Sequence, residues 1–170
     1  MSTSNDEFER DPSDKINKLR AMLNERQSEL KTDFNKLDDS ILLKFLRSCD
    51  FEVKFSADVL INYFLFRVKN FQLFKCPRDH PGVMTILQAN MFNFCSKTNA
   101  ELGHGERVVY FRPGRWDESM CDPYDMLAGC VLLLEYMMLD TDVQRLGFTE
   151  IEVSGDTLAI VTKPDHLYQN

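Results

Sequence analysis

Cys76, His80, Cys95 and His104 are the side chains in this 170-residue sequence whose types and order could be read as a metal site or a nucleophile pair. Cys76-x-x-x-His80, with Cys95 and His104 following, fits no structural zinc spacing well, and two prolines interrupt the segment. A Cys–His nucleophile needs a third, orienting group and an oxyanion site, and neither is visible. Gly103-x-Gly105 precedes a strand pattern instead of joining a strand to a helix, so it reads as a turn and not as a dinucleotide cradle. No metal, cofactor or catalytic residue is expected, and the chain reads as a non-enzyme.

What remains is apolar chemistry. Met126 to Leu134 are nine residues without a charge; after Glu135 come four more apolar residues before Asp140. A spanning helix needs about 20 predominantly apolar residues, so this run does not cross a membrane. Leu127, Cys130, Val131, Leu134 and Met138 form one apolar stripe, while Met126, Leu133 and Met137 lie toward another. A helix with two apolar faces packs on a sheet with one and offers the other to a second layer or to a lipid cavity. By pattern alone, both stay open.

Composition narrows the classes. The start, Met-Ser-Thr-Ser-Asn-Asp-Glu, lacks an apolar stretch and has Ser at position 2, which predicts neither a signal peptide nor myristoylation; Tyr-Gln-Asn is no prenylation tail. Five cysteines without a C-x-x-C pair suit free thiols in a reducing compartment, so a cytoplasmic protein is expected. A net charge of −7 argues against nucleic acid. Residues 41–115 nevertheless hold eleven Lys/Arg against six Asp/Glu, a surplus of +5, so the flanks sum to −12. Such a basic middle could rest on anionic lipid, although a solvated surface explains it as well.

Elements follow from periodicity. Residues 1–11 are polar and aperiodic, which predicts a disordered tail. Ile16, Leu19, Leu23 and Leu30 predict an amphipathic helix from Ser13 to about Lys31. Asp38-Asp39 can cap a second helix carrying Leu42, Phe45, Leu46 and Cys49. A third is expected from Ser56, with Val59, Leu60, Tyr63, Phe64, Phe66, Phe71 and Phe74 nearly encircling it, hence buried by more than one neighbour. Cys76 to Gly82 breaks the pattern and marks a domain boundary. Beyond it come a short helix through Met84–Met91, a strand at Arg107–Phe111 covered on both faces, and a helix with Asp122 as N-cap and Pro123 at its first position. Thr149–Val153 alternates as a one-sided strand, and Leu158–Val161 is its hairpin partner.

Read in order, these residues resemble the CRAL-TRIO family, closest to its branch of alpha-tocopherol transfer and retinaldehyde-binding proteins. Asp39 to Phe51 (DSILLKFLRSCDF) is similar to the family's D-x-x-L-L-R-F-L-R-A-R-x-F-D signature, and Tyr63-Phe64-Leu65-Phe66-Arg67 to its Y-x-x-x-R helix. Val108–Asp117 resembles V-x-x-x-R-x-x-x-W-D, and Tyr124–Gly147 ends in a matching Gln144-Arg145-Leu146-Gly147. The likeness covers residues 12 to about 151. It implies an α+β protein: a helical N-terminal bundle over 12–76, then a partial α/β lipid-binding domain with a small sheet over 77–170, its second half missing. The implied function is intracellular binding and transfer of a small hydrophobic lipid such as a tocopherol or retinoid. Leu127, Cys130, Leu134 and Phe148 match the pocket wall. Lys44, Arg47 and Arg67 match or flank positions for a phosphoinositide headgroup and the membrane, whereas Cys49 replaces a basic residue. Glu152 falls where the family places a large apolar pocket residue, and a carboxylate facing a dry pocket is costly or protonated. The implied partners are a hydrophobic ligand, an anionic membrane surface, and other copies of the chain through the uncovered pocket helix and sheet edge. The alternative is a non-enzymatic interaction module that has lost its cargo.

Overall fold

The computed structural model describes residues 11–26, 33–75, 79–99, 104–154 and 157–161. They fall into two compact units that part between Phe71 and Gln72. The fold is α+β, a helical bundle followed by a small sheet with helices. Apart from Asp11, the expected tail lies outside the described residues, as do Cys76 and Leu30.

The first unit is built from α1 (Ser13–Glu25), α2 (Asp39–Ser48) and α3 (Val53–Lys69), with a 3₁₀ turn at Phe34–Lys36. Ile16, Leu19 and Leu23 are the buried stripe of α1, as their spacing requires. The helix ends at Glu25, short of the expected Lys31, and Arg26 turns to pair with Asp58 on α3. Asp38 caps α2, its carboxylate accepting from the Ser40 N–H at 2.8 Å. Leu42, Phe45 and Leu46 join Leu19, Leu23, Phe34, Leu60 and Ile61 in one core, with Leu43, Tyr63 and Phe64 packed against it. The Phe45 and Tyr63 rings lie 5.4 Å apart.

Helix α2 closes in a Schellman motif. The Phe51 N–H reaches back to Leu46 O at 2.7 Å, with Asp50 and Phe51 both at positive φ (50° and 59°). Phe51 is buried, so the turn is held by an apolar plug as well as by its hydrogen bonds.

Two expectations for α3 are corrected. The helix begins three residues before Ser56, and the Ser56 hydroxyl sits in the first turn, donating to Glu52 O at 2.7 Å. Nor is α3 buried all round: Leu65, Phe66 and Val68 are exposed, Phe66 at 47%, so Phe66 stands outside the core. Asn70 ends the helix with its side-chain amide donating to Phe66 O at 2.9 Å. Phe71–Lys75 is therefore a separate short helix, α4, with Phe71 also exposed.

The second unit contains α5 (Pro81–Gln88), β1 (Phe92–Asn99), β2 (His104–Phe111), α6 (Pro123–Met137), α7 (Thr141–Leu146), β3 (Phe148–Ser154) and β4 (Thr157–Val161). Helix α5 stops before Met91 because Asn90 takes a left-handed conformation (φ 53°) and the Met91 N–H bonds to Ile86 O at 3.4 Å. Met91 is fully buried, again as an apolar plug.

The four strands lie in the order β1-β2-β3-β4. β1/β2 and β3/β4 are antiparallel; β2/β3 is parallel and needs the crossover that α6 and α7 supply. The hairpin expected at the end of this segment is present as β3 and β4, whereas β1 had no counterpart in the sequence reading. The expectation that β2 is covered on both faces is corrected: Val109 is buried, but Val108 and Tyr110 on the other face are half-exposed. Asp122 caps α6 as expected, accepting from the Asp125 N–H at 2.8 Å, with Pro123 in the first turn.

Candidate ligand cavity

Side chains alternate along a strand, so the register decides what the sheet shows to α6. Phe94 on β1 pairs with Val109 on β2, and Val109 with Glu150 on β3. One row over, Phe92 pairs with Phe111 and Phe111 with Glu152; in the other direction Arg107 pairs with Phe148. The face toward α6 therefore carries four phenylalanines, Val109, Arg107 and the polar positions of β3. The Phe92 and Phe111 rings stack at 4.6 Å.

Between this face and α6 lies a cavity of about 130 Å³. Its walls are Phe92 and Phe94, Val109 and Phe111, Phe148 and Glu150 from the sheet, with Cys130, Leu133, Leu134 and Met137 from α6. The helical four fall at i, i+3, i+4 and i+7, one continuous face. Beneath them Val109, Met137 and Val143 form a buried cluster, with Phe92, Met138 and Phe148 packed against it. An adjoining groove of about 420 Å³ shares Phe94 and Met137 and is edged by Tyr136, Leu139, Arg107 and Asp140. Arg107 Nη2 donates to Asp140 Oδ2 at 2.6 Å, and Asp140 also caps α7 by accepting from the Asp142 N–H at 2.9 Å.

Of the residues matched to a pocket wall, Cys130, Leu134 and Phe148 meet at this cavity. Leu127 is not among its lining residues and is 47% exposed. The α6 stripe thus runs through Leu133 and Met137 instead of up to Leu127, and Gly129 packs that end of the helix against Ile86 and Val83 of α5. A Cβ on Gly129 would lie 2.8 Å from Ile86 Cδ1, and one on Gly82 would lie 2.5 Å from Asp125 Cβ. At Gly82, where the opposing atom is fixed to the backbone, only glycine permits so close a crossing.

Sequence reasoning missed Glu150. The alternation of β3 marked Glu150 and Glu152 as its polar face, and the resemblance put Glu152 at a pocket position; the acidic face does look onto the cavity side, but Glu150 and not Glu152 is among the lining residues. Burial and then the neighbouring Glu152 push the Glu150 carboxyl above the usual carboxylate range. Burial, with a smaller push from Glu150, likewise raises the Cys130 thiol, so its thiolate fraction is lower than that of a free cysteine.

The basic candidates lie in the first unit. Lys44 and Arg47 are half-buried and one turn apart on α2. Arg67 lies over the Tyr63 ring, 5.5 Å from its centroid, and its Nη1 donates to the Tyr63 hydroxyl at 2.6 Å. Cys49 is buried, so its thiol faces the core. Among the described residues no group of three His, Cys, Asp or Glu side chains could hold a metal, and no helix is long and apolar enough to cross a membrane.

No family model matches the chain. Individual proteins do. Clavesin-2 of Homo sapiens is 30% identical over 120 residues, covering 69% of this chain and 36% of that protein. Clavesin-1 of Rattus norvegicus is 28% identical over 151 residues (79% and 42%), and clavesin-1 of Xenopus laevis 29% over 116 (68% and 34%). The chain therefore spans between 34% and 42% of the length of these relatives. Their likeness supports the CRAL-TRIO resemblance that the motifs carry.

Proposed function

We propose that this chain is a CRAL-TRIO lipid carrier and not an enzyme: it holds one small hydrophobic molecule, of the tocopherol or retinoid kind, between α6 and the sheet. The observation that carries this reading is the cavity, whose described walls are aromatic and aliphatic except at Glu150 and Cys130. Apolar concavities with a few placed polar groups are where small ligands bind. The motif likeness and the similarity to clavesins support it. Lys44, Arg47 and Arg67 supply positive charge toward an anionic, phosphoinositide-bearing membrane, consistent with the +5 surplus of residues 41–115. Such attraction is screened over about 8–10 Å at physiological ionic strength.

Native mass spectrometry of the purified chain tests the cargo. A co-purifying hydrophobic mass, or a tocopherol or retinol adduct that slows alkylation of Cys130, is expected. No adduct and no protection would favour the interaction module, for which the exposed Leu65, Phe66, Val68 and Phe71 are the supporting observation. Liposome sedimentation tests the membrane: binding that ignores both phosphoinositide and salt would remove the basic residues from it.

A further inference from the structure

We propose that Glu150 makes the cavity selective for an apolar ligand whose polar end donates a hydrogen bond, a hydroxyl or an ammonium, and against one that ends in a carboxylate. The inference rests on the cavity being a ligand site and adds what that ligand must carry.

Among the described residues Glu150 is the only charged one lining the cavity, opposite Val109 in the sheet register. Among the described residues its carboxyl makes no hydrogen bond or ion pair, and it pays part of the desolvation of a buried acid, as its raised affinity for a proton indicates. A ligand that donates to it supplies the missing partner. A ligand carboxylate would instead meet the like charge of the Glu150 carboxylate. Among the described side chains the cation on that face of the sheet is Arg107, and it already holds Asp140 at 2.6 Å. From α6 the titratable group is the Cys130 thiol, un-ionised and no acceptor of comparable strength. Size sets a second limit. A cavity of about 130 Å³ is close to the roughly 150 Å³ that admits benzene. The cavity thus takes a ring-sized apolar segment beside Glu150, and the adjoining groove along Tyr136 and Leu139 receives the remainder.

The test is calorimetric titration of the full chain at neutral pH with three probes of equal tail length: octylamine, 1-octanol and octanoate. Charge-assisted and ordinary hydrogen bonds to Glu150 should place both donors about tenfold or more ahead of octanoate. The order of the first two shows whether an ammonium or a hydroxyl is preferred. Glu150→Leu should bring the three within about twofold of one another, since only tail burial then contributes. Glu150→Gln, which keeps the side-chain shape, should retain octanol and lose any advantage of octylamine, so a folding defect in the leucine variant leaves the inference testable. Octanoate binding as tightly as the donors, or a preference for donors that survives Glu150→Leu, would overturn the inference while leaving a lipid cavity in place. If no probe binds wild type or either variant, the lipid-cavity reading falls, and this inference with it.

Discussion

Arg20 shows how one side chain can define a chain path. Its Nη1 donates to the carbonyls of Phe34 at 2.8 Å and Leu37 at 3.0 Å, while Nη2 pairs with Asp39 in the first turn of α2. A guanidinium is suited to this because its donors lie in one rigid fork. Hydrogen bonds to a charged group contribute about 1.5–3 kcal/mol, so Arg20→Met, which keeps the stem and removes the fork, should destabilise the first unit by about that amount in a denaturant titration. A loss under about 0.5 kcal/mol would mean that water replaces the guanidinium there. Glu150 is the opposite case, a side chain whose surroundings work against its charge. Its folded-state affinity for protons is raised by burial and by Glu152, so the folded chain holds a proton that the unfolded chain releases first. Its stabilising contribution is therefore intact below the ordinary carboxyl value of 4.5 and is lost as pH rises from there through the raised folded-state value. Glu150→Gln should gain on wild type across that window, with the difference in melting temperature smaller at pH 4 than at pH 7. The opposite trend would place Glu150 beside a cation. Neither residue's role was visible in sequence: the Arg20 carbonyl partners sit fourteen and seventeen positions away, and the alternation of β3 distinguishes two faces without saying which one meets α6.

Among the helices, what the sequence made legible was what depends on neighbours in the chain. Asp38 and Asp122 were readable as caps because a carboxylate needs only the N–H two or three residues on. Ile16, Leu19 and Leu23 were readable because one helical face repeats every 3.6 residues. The ends of α2 and α5 were not, since Asp50 and Asn90 take left-handed conformations that glycine would have advertised. Strand β1 (FNFCSKTN) carries a strong apolar signal only in its first half, and its second half is polar. The α5–α6 crossing also escaped notice, because Gly82 and Gly129 mean close approach only once both helices are in place. Gly82→Ala tests that crossing. On helix propensity alone, alanine would gain roughly 1 kcal/mol. Here its Cβ would fall 2.5 Å from Asp125 Cβ, an atom fixed to the backbone, so overpacking at about 1–3 kcal/mol should win and the variant should unfold earlier in urea. Net stabilisation would show that α5 moves away without loss.

At the scale of the molecule, the cavity and what covers it are one question. Leu127 and Leu134 are 47% and 46% exposed, Tyr136 and Leu139 more so, and Phe94 on strand β1 meets the Tyr136 ring at 6.3 Å. They leave apolar area beside the cavity that ligand, membrane or another copy of the chain could take from water. Apolar surface removed from water contributes about 25 cal/mol per Å², so a few hundred Å² amounts to several kcal/mol. The sheet adds to this, since β1 and β4 are the outer ones among the described strands and such strands can pair with another chain. With no ligand present, the chain should therefore self-associate, its apparent mass in gel filtration rising with concentration across the micromolar range. Leu127→Ser with Leu134→Ser removes two of the exposed leucines and should move the equilibrium toward monomer. Filling the cavity with 1-octanol should do the same if association and ligand compete for Leu134, and should leave it unchanged if association runs along a strand edge. A chain that stays monomeric at every concentration would show that the apolar face of α6 is stable in water by itself, and that the side chains around Leu134 are spaced too widely to act as a patch.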